Sequence, residues 1–255
     1  MTGPSLRTEN LTIRFGGHAA VNDVTCAFRP GELTAIVGPN GAGKTTWFNL
    51  VSGQLAPTAG RIFKDGRDIT RLAPSARARA GIGRAFQLTN LFPRLSVREN
   101  VRLVVQARRG LGPSLLRRAA SLRDLIEEAQ SYLERTRLAA VADLPAAALP
   151  HGDQRKLEVA LLVAMEPDIF MFDEPTAGMS ADEAPVILEL IGGIRKDRTK
   201  TVLLVEHKMD VVRALADRIV VLHNGELVAD GEPAAVMALP VVRDIYLGGR
   251  EEAET

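Results

Sequence analysis

Gly38-Pro39-Asn40-Gly41-Ala42-Gly43-Lys44-Thr45-Thr46 decides the reading of this 255-residue chain. It fits the pattern G-x-x-x-x-G-K-[ST]. In that pattern glycines let the backbone curl until successive N–H groups face a polyphosphate, and the following helix adds the partial positive charge of its N-terminus. The flanks fit as well. Leu33 to Val37 is an unbroken apolar run of strand length, and Thr45 to Val51 opens a helix, so strand, loop and helix come in the required order. Lys44 is expected to bridge the β- and γ-phosphates of a nucleotide, and the Thr45 hydroxyl to ligate Mg²⁺.

Upstream, Leu11 to Phe15 and Val21 to Phe28 read as strands set off by Gly16-Gly17 and Pro30-Gly31, and a further strand pair surrounds Asp65-Gly66. From about Pro74 to Met165 the composition shifts to Ala, Arg and Leu, which predicts an inserted helical subdomain. Within it Ser96-Val97-Arg98-Glu99 has capping-box spacing, with Ser96 as N-cap and Glu99 reaching back. Leu122, Leu125, Ile126, Ala129 and Leu133 recur at helical spacing and read as core contacts. Strand and helix then alternate: Ile169 to Phe172, Pro185 to Ile194, Val202 to Val205 and Met209 to Leu215. A hairpin turning at Asn224-Gly225 and a short helical tail close the chain. That order predicts an α/β fold with a mostly parallel sheet.

A net charge of +1 argues against a broad nucleic-acid footprint, and 46% hydrophobic residues against disorder. No apolar run reaches the length of a membrane span, and the first ten residues lack a signal-peptide core, so a cytosolic location is expected. The single Cys26 fits a reducing compartment, and four scattered histidines do not have zinc-ligand spacing.

Downstream of the phosphate loop, Ile169-Phe170-Met171-Phe172-Asp173-Glu174 is an apolar strand ending in two acids. Ligands of open α/β sheets lie beyond the carboxyl ends of the strands, so both acids are expected to face the nucleotide. Asp173 would hold Mg²⁺ and Glu174 would polarise the attacking water.

With these motifs the chain resembles the nucleotide-binding subunits of ABC transporters, from Leu11 to about Gly248. The resemblance implies a P-loop NTPase core with an N-terminal antiparallel β subdomain and an inserted α-helical subdomain. The single domain, 1–255, would divide into a nucleotide-binding core, 1–87 and 166–255, and a helical part, 88–165. It implies that Phe15 stacks on adenine and that Gln87, in Arg84-Ala85-Phe86-Gln87, reaches Mg²⁺ or the lytic water at the hinge to the helical part. Leu149-Pro150-His151-Gly152-Asp153-Gln154-Arg155 stands where the family has its signature loop, so Pro150, Gly152, Asp153 and Gln154 would meet an ATP held by the opposite chain. Ala177 to Asp182 matches the family's D-loop, and His207 matches its switch histidine. A lone histidine after a strand is more often a surface residue, but its order and spacing here favour the functional reading.

The implied activity is ATP hydrolysis by a pair of such chains, identical or paralogous, bound to integral membrane permease subunits at the cytoplasmic face. An extracytoplasmic solute-binding protein would be an indirect partner. Phe15-Gly16-Gly17, the Arg-rich stretch Arg108 to Arg123, Glu206-His207-Lys208-Met209 and Ile245-Tyr246-Leu247-Gly248 are similar to the ATPases of branched-chain amino-acid importers. Urea- or amide-uptake and lipopolysaccharide-export ATPases share part of that set. A soluble ABC ATPase acting on translation or DNA is disfavoured by the single nucleotide domain and the lack of heptads. Pro150 departs from the family's serine, which leaves a weakened composite site beside a paralogous partner as one reading and a silent replacement as the other. The arginine run reads either as a solvated face or as a contact for anionic lipid or the permease.

Overall fold

The computed structural model describes residues 3–85, 91–111 and 119–251; the side chains of 119–121 and 247–251 are left aside. Two compact units divide the chain: 1–82 with 168–174 and 194–255, and 83–167 with 175–193.

In the first unit β1 (Leu6–Phe15), β2 (His18–Phe28), β4 (Ala59–Lys64) and β5 (Arg67–Asp68) form an antiparallel sheet in the order β2-β1-β4-β5. Their alternating buried residues, among them Leu6, Leu11, Ile13, Val21, Val24 and Phe28, supply one face of the core. A second sheet runs β10 (Glu226–Gly231), β9 (Arg218–His223), β3 (Leu33–Val37), β8 (Thr201–Val205) and β7 (Ile169–Asp173). β9, β3, β8 and β7 are parallel, and β10 folds back antiparallel through the Asn224-Gly225 turn. Every residue of β3, β7 and β8 is buried, as expected of central strands covered on both faces. On one face α1 (Lys44–Ser52) packs Trp47 against Phe28, ring centroids 5.4 Å apart. On the other, α7 (Met209–Leu215), α8 (Pro233–Ala238) and α9 (Pro240–Glu251) bury Val212, Val236 and Val242 against Val37, Ile219 and Val221.

The C-terminus of α1 is held by a buried cation. Arg77, on α2 (Pro74–Arg79), is 1% exposed and donates to the carbonyls of Leu50, Val51, Thr70 and Leu72 at 2.6 to 3.0 Å. A cation on the last carbonyls of a helix offsets its negative end. Burial pushes the guanidinium down to about 10, against the weaker pull of the Asp68 carboxylate.

β6 (Ile82–Ala85) carries the chain into the second unit, built on α3 (Val97–Arg108), α4 (Ala119–Arg135) and α5 (His151–Ala164); α6 (Ala184–Arg195) lies mostly within it. Four findings correct the sequence reading. The stretch from Pro74 is not helical throughout: β6 interrupts it, and Gly83 lets it approach Leu162 and Pro167 where a Cβ would collide with both. Ser96 caps α3 by accepting from the Glu99 N–H at 3.1 Å, but the Glu99 carboxylate does not reach back; it takes both arms of Arg102 at 2.8 Å. Leu122 is 45% exposed, while Leu125, Ala129 and Leu133 are buried. The arginine run is not an unpaired basic face at its start, although Arg109 stays exposed. Arg108 and Arg109 both pair with Glu128, and Arg108 also bonds Tyr132 and Glu166. Arg117 and Arg118 lie outside the described residues.

Candidate functional site

The site grows from the register of three neighbouring strands. Val205 of β8 lies level with Ile36 of β3 and with Asp173 of β7, so the three strands end together. The phosphate loop leaves β3, Glu174 leaves β7, and His207 follows β8 by two residues. Glu174 turns off its strand with φ +49°, its N–H donating to the Val205 carbonyl at 3.0 Å. A left-handed conformation at a non-glycine residue costs about 1–2 kcal/mol, and here it throws the carboxylate over the strand ends. His207 Nε2 meets Glu174 Oε1 at 2.7 Å.

The loop itself is moulded by its surroundings. A Cβ at Gly38 would strike the Leu222 carbonyl, and one at Gly43 (φ +96°) the Ala20 carbonyl, so only glycine allows these approaches. Gly225, at the β9–β10 turn, donates its N–H to the Ala42 carbonyl at 3.1 Å, and the Gly38 N–H bonds the half-buried Tyr246 hydroxyl of α9. Lys44 Nζ lies inside the curl, donating to the carbonyls of Gly38 at 2.7 Å and Pro39 at 2.8 Å. Burial pushes its ammonium below the usual lysine range, against the pull of Glu174 and Asp173.

The structure therefore gathers Gly38 to Thr46, Asp173, Glu174 and His207. Phe15 stands 52% exposed at the tip of the β1–β2 hairpin, whose second strand supplies the Ala20 carbonyl against Gly43. Gln87 falls outside the described residues. Pro150, Gly152, Asp153 and Gln154 belong to the second unit, at the start of α5. That helix begins at His151, within the stretch read as the signature loop, with Pro150 as an N-cap that offers no side-chain bond. Gln154 Nε2 donates to the Leu149 carbonyl at 2.9 Å, and Asp153 pairs with Lys156 at 2.8 Å. Sequence reasoning missed the braces on the loop, Leu222, Gly225 and Tyr246, and the helix clamp Arg77. The Asn-Gly turn signalled a hairpin but not what its tip touches.

A curl of N–H groups around a buried ammonium, with acids at the end of the adjoining strand, suits attack on a nucleotide's terminal phosphate. The class it defines is the P-loop α/β ATPase. The family description "ABC transporter" matches residues 21–177, and the chain belongs to that family as an ATP-hydrolysing subunit. It is 39% identical to the high-affinity branched-chain amino acid transport ATP-binding protein LivG of Escherichia coli K12, over 97% of this chain and 99% of LivG. The ADP conformation of MJ1267, an ATP-binding cassette of an ABC transporter, superposes with a TM-score of 0.77 at 30% identity, covering 96% of this chain and 99% of that one. The dimeric bacterial cassette MJ0796 gives 0.77 at 25% identity, covering 89% and 98%. No described helix is long and apolar enough to cross a membrane.

Proposed function

We propose that this ATPase drives import of a branched-chain or similarly hydrophobic amino acid through separate permease subunits, from the cytoplasmic face of the membrane. The full-length match to LivG carries that reading. Two cassettes would pair, as MJ0796 does, and close around two ATP molecules, each held by one chain's phosphate loop and the other's Pro150 to Gln154. Residues 1–87 and 166–255 serve as the nucleotide-binding part and 88–165 as the helical part that meets the permease. Phe92, Leu95 and Leu144, all exposed in that part, offer it an apolar contact.

In this reading Lys44 leaves the Gly38 and Pro39 carbonyls for the β- and γ-phosphates, and Phe15 stacks on adenine. Glu174 takes a proton from the water that attacks the γ-phosphorus, ADP departs, and His207 holds the carboxylate and the γ-phosphate in line. Thr45, an exposed residue in the first turn of its helix, Asp173 and Gln87 offer oxygen ligands. Among the described residues no three His, Cys, Asp or Glu cluster as a cage. That set suits Mg²⁺, which completes its shell with phosphate oxygens and water and would supply neutralising charge to the phosphates. The test is purification of the intact complex from membranes with this chain as bait, followed by solute screening of the copurified binding protein. Leucine, isoleucine or valine binding supports the proposal. A urea or amide ligand, lipopolysaccharide-export partners or ribosomes would each overturn it.

A further inference from the structure

Glu183, just before α6, makes contacts in two directions within the second unit. Its Oε2 accepts from the Ser180 N–H at 3.2 Å and the Ser180 hydroxyl at 3.0 Å. Its Oε1 accepts from Lys156 Nζ at 3.2 Å, the same ammonium that bonds Asp153 at 2.8 Å in the first turn of α5. The carboxylate also lies against Gly152 so closely that a Cβ there would collide with both oxygens. Lys156 is only 8% exposed. Burial alone would depress its ammonium, but the bonds to Asp153 and Glu183 reverse that and hold it above the usual lysine range. Glu183 is held below the usual carboxylate range by the Ser180 N–H first and by Lys156 next.

A helix cap explains the Ser180 bonds and nothing else. It does not account for the lysine reached from another helix, nor for the glycine required beneath the carboxylate. We propose that Glu183 is a positioning residue for nucleotide binding: through Lys156 and Gly152 it latches the segment after the acidic strand to the start of α5, fixing where the N–H groups of that helix point. This rests on the reading that Gly152 meets the ATP held by the opposite chain. When that segment shifts with the state of its own site, the anion-binding turn offered to the other site shifts with it.

The test uses the chain purified with its membrane subunits. Glu183→Gln and Lys156→Met should each raise the KM for ATP by about fivefold, with kcat changed less than about twofold. The double variant should be no worse than either single one. Calorimetric affinity of the isolated chain for ATP, which reports its own phosphate loop, should stay at the wild-type value. An unchanged KM, additive effects, or an ATP affinity that falls in step with melting temperature overturns the latch. Should Glu183→Gln fail to fold, Lys156→Arg decides: it keeps the pair and the wild-type KM, and impairment equal to Lys156→Met sinks the idea. Pro150→Asp, which leaves Gly152 and its contact with Glu183 in place, separates the two layers. Wild-type turnover in that variant removes α5 from the site, whereas impairment there beside an unaffected Glu183→Gln removes only the latch.

Discussion

His207 Nε2 and Glu174 Oε1 stand 2.7 Å apart, each side chain about 40% exposed, at the level ends of two parallel strands. Neither residue is near the other in sequence. The β7–β8 ladder, with Asp173 opposite Val205, sets the meeting, and the left-handed turn at Glu174 completes it.

Glu174→Gln keeps the shape of the site and removes the proton acceptor. Turnover should fall roughly 10²- to 10⁴-fold while ATP still binds, and a closed nucleotide-bound dimer should accumulate. His207→Ala leaves the base in place without its partner, so a smaller loss, on the order of tenfold, is expected in kcat. Steady-state hydrolysis with the membrane subunits present checks both, and a wild-type rate in Glu174→Gln would remove it from its role.

Lys44→Met should abolish tight ATP binding and also raise the melting temperature of the free chain. The sign follows from burial, which lowers the folded pKa of Lys44 below its unfolded value near 10.5. The unfolded state then binds the proton more tightly, and holding the charge in the fold costs stability throughout neutral pH. The advantage of methionine should shrink as pH rises through the folded value towards 10.5. Calorimetric melts at pH 7 and pH 10 test this, and a destabilised Lys44→Met at pH 7 would show that the two carbonyl bonds outweigh burial.

Arg77→Ala strips four carbonyls of their donor and opens a hole behind α1. A loss of about 3 kcal/mol is expected, read by urea unfolding, together with weaker ATP binding because the same helix carries Lys44 and Thr45 at its other end. Arg77→Met, which refills the space, should recover part of the stability but not the cap.

Pro150→Ser restores a hydroxyl at the N-cap of α5. If the composite site using this turn is the weaker of two, the change should raise ATP affinity or turnover at the partner's phosphate loop while the Lys44 site stays as it was. Inactivating each catalytic glutamate in turn resolves the two sites. Equal activity of both in the wild-type complex rules out the asymmetry.

The motifs were legible because they are local: Gly38 to Thr46 carries its geometry in its own glycines, and Leu33 to Val37 and Ile169 to Phe172 announce buried strands by unbroken apolar runs. What escaped depends on distant partners. β6 offers four residues with a glycine among them, too short for any period to show. Arg77 reads as one more surface arginine on a short helix, because a bond to backbone carbonyls needs no particular partner residue. Glu99 matched a capping box in spacing, yet Arg102 one turn on competed for its carboxylate with a full charge. Arg108 and Arg109 looked like a basic patch until Glu128 and Glu166 folded onto them.

The bracing of the phosphate loop by Leu222 and Gly225 bears on how the molecule is made. The loop is complete in sequence once Thr46 has been synthesised, but its far wall is β9 and the turn after it, and these are synthesised much later. A nascent chain bearing every residue of the motif would have a slack curl until the β9–β10 hairpin docks, so nucleotide would act as a late ligand that selects finished chains. A fragment ending at Ala177, where the family match stops, would inherit the motif without the ability to grip ATP.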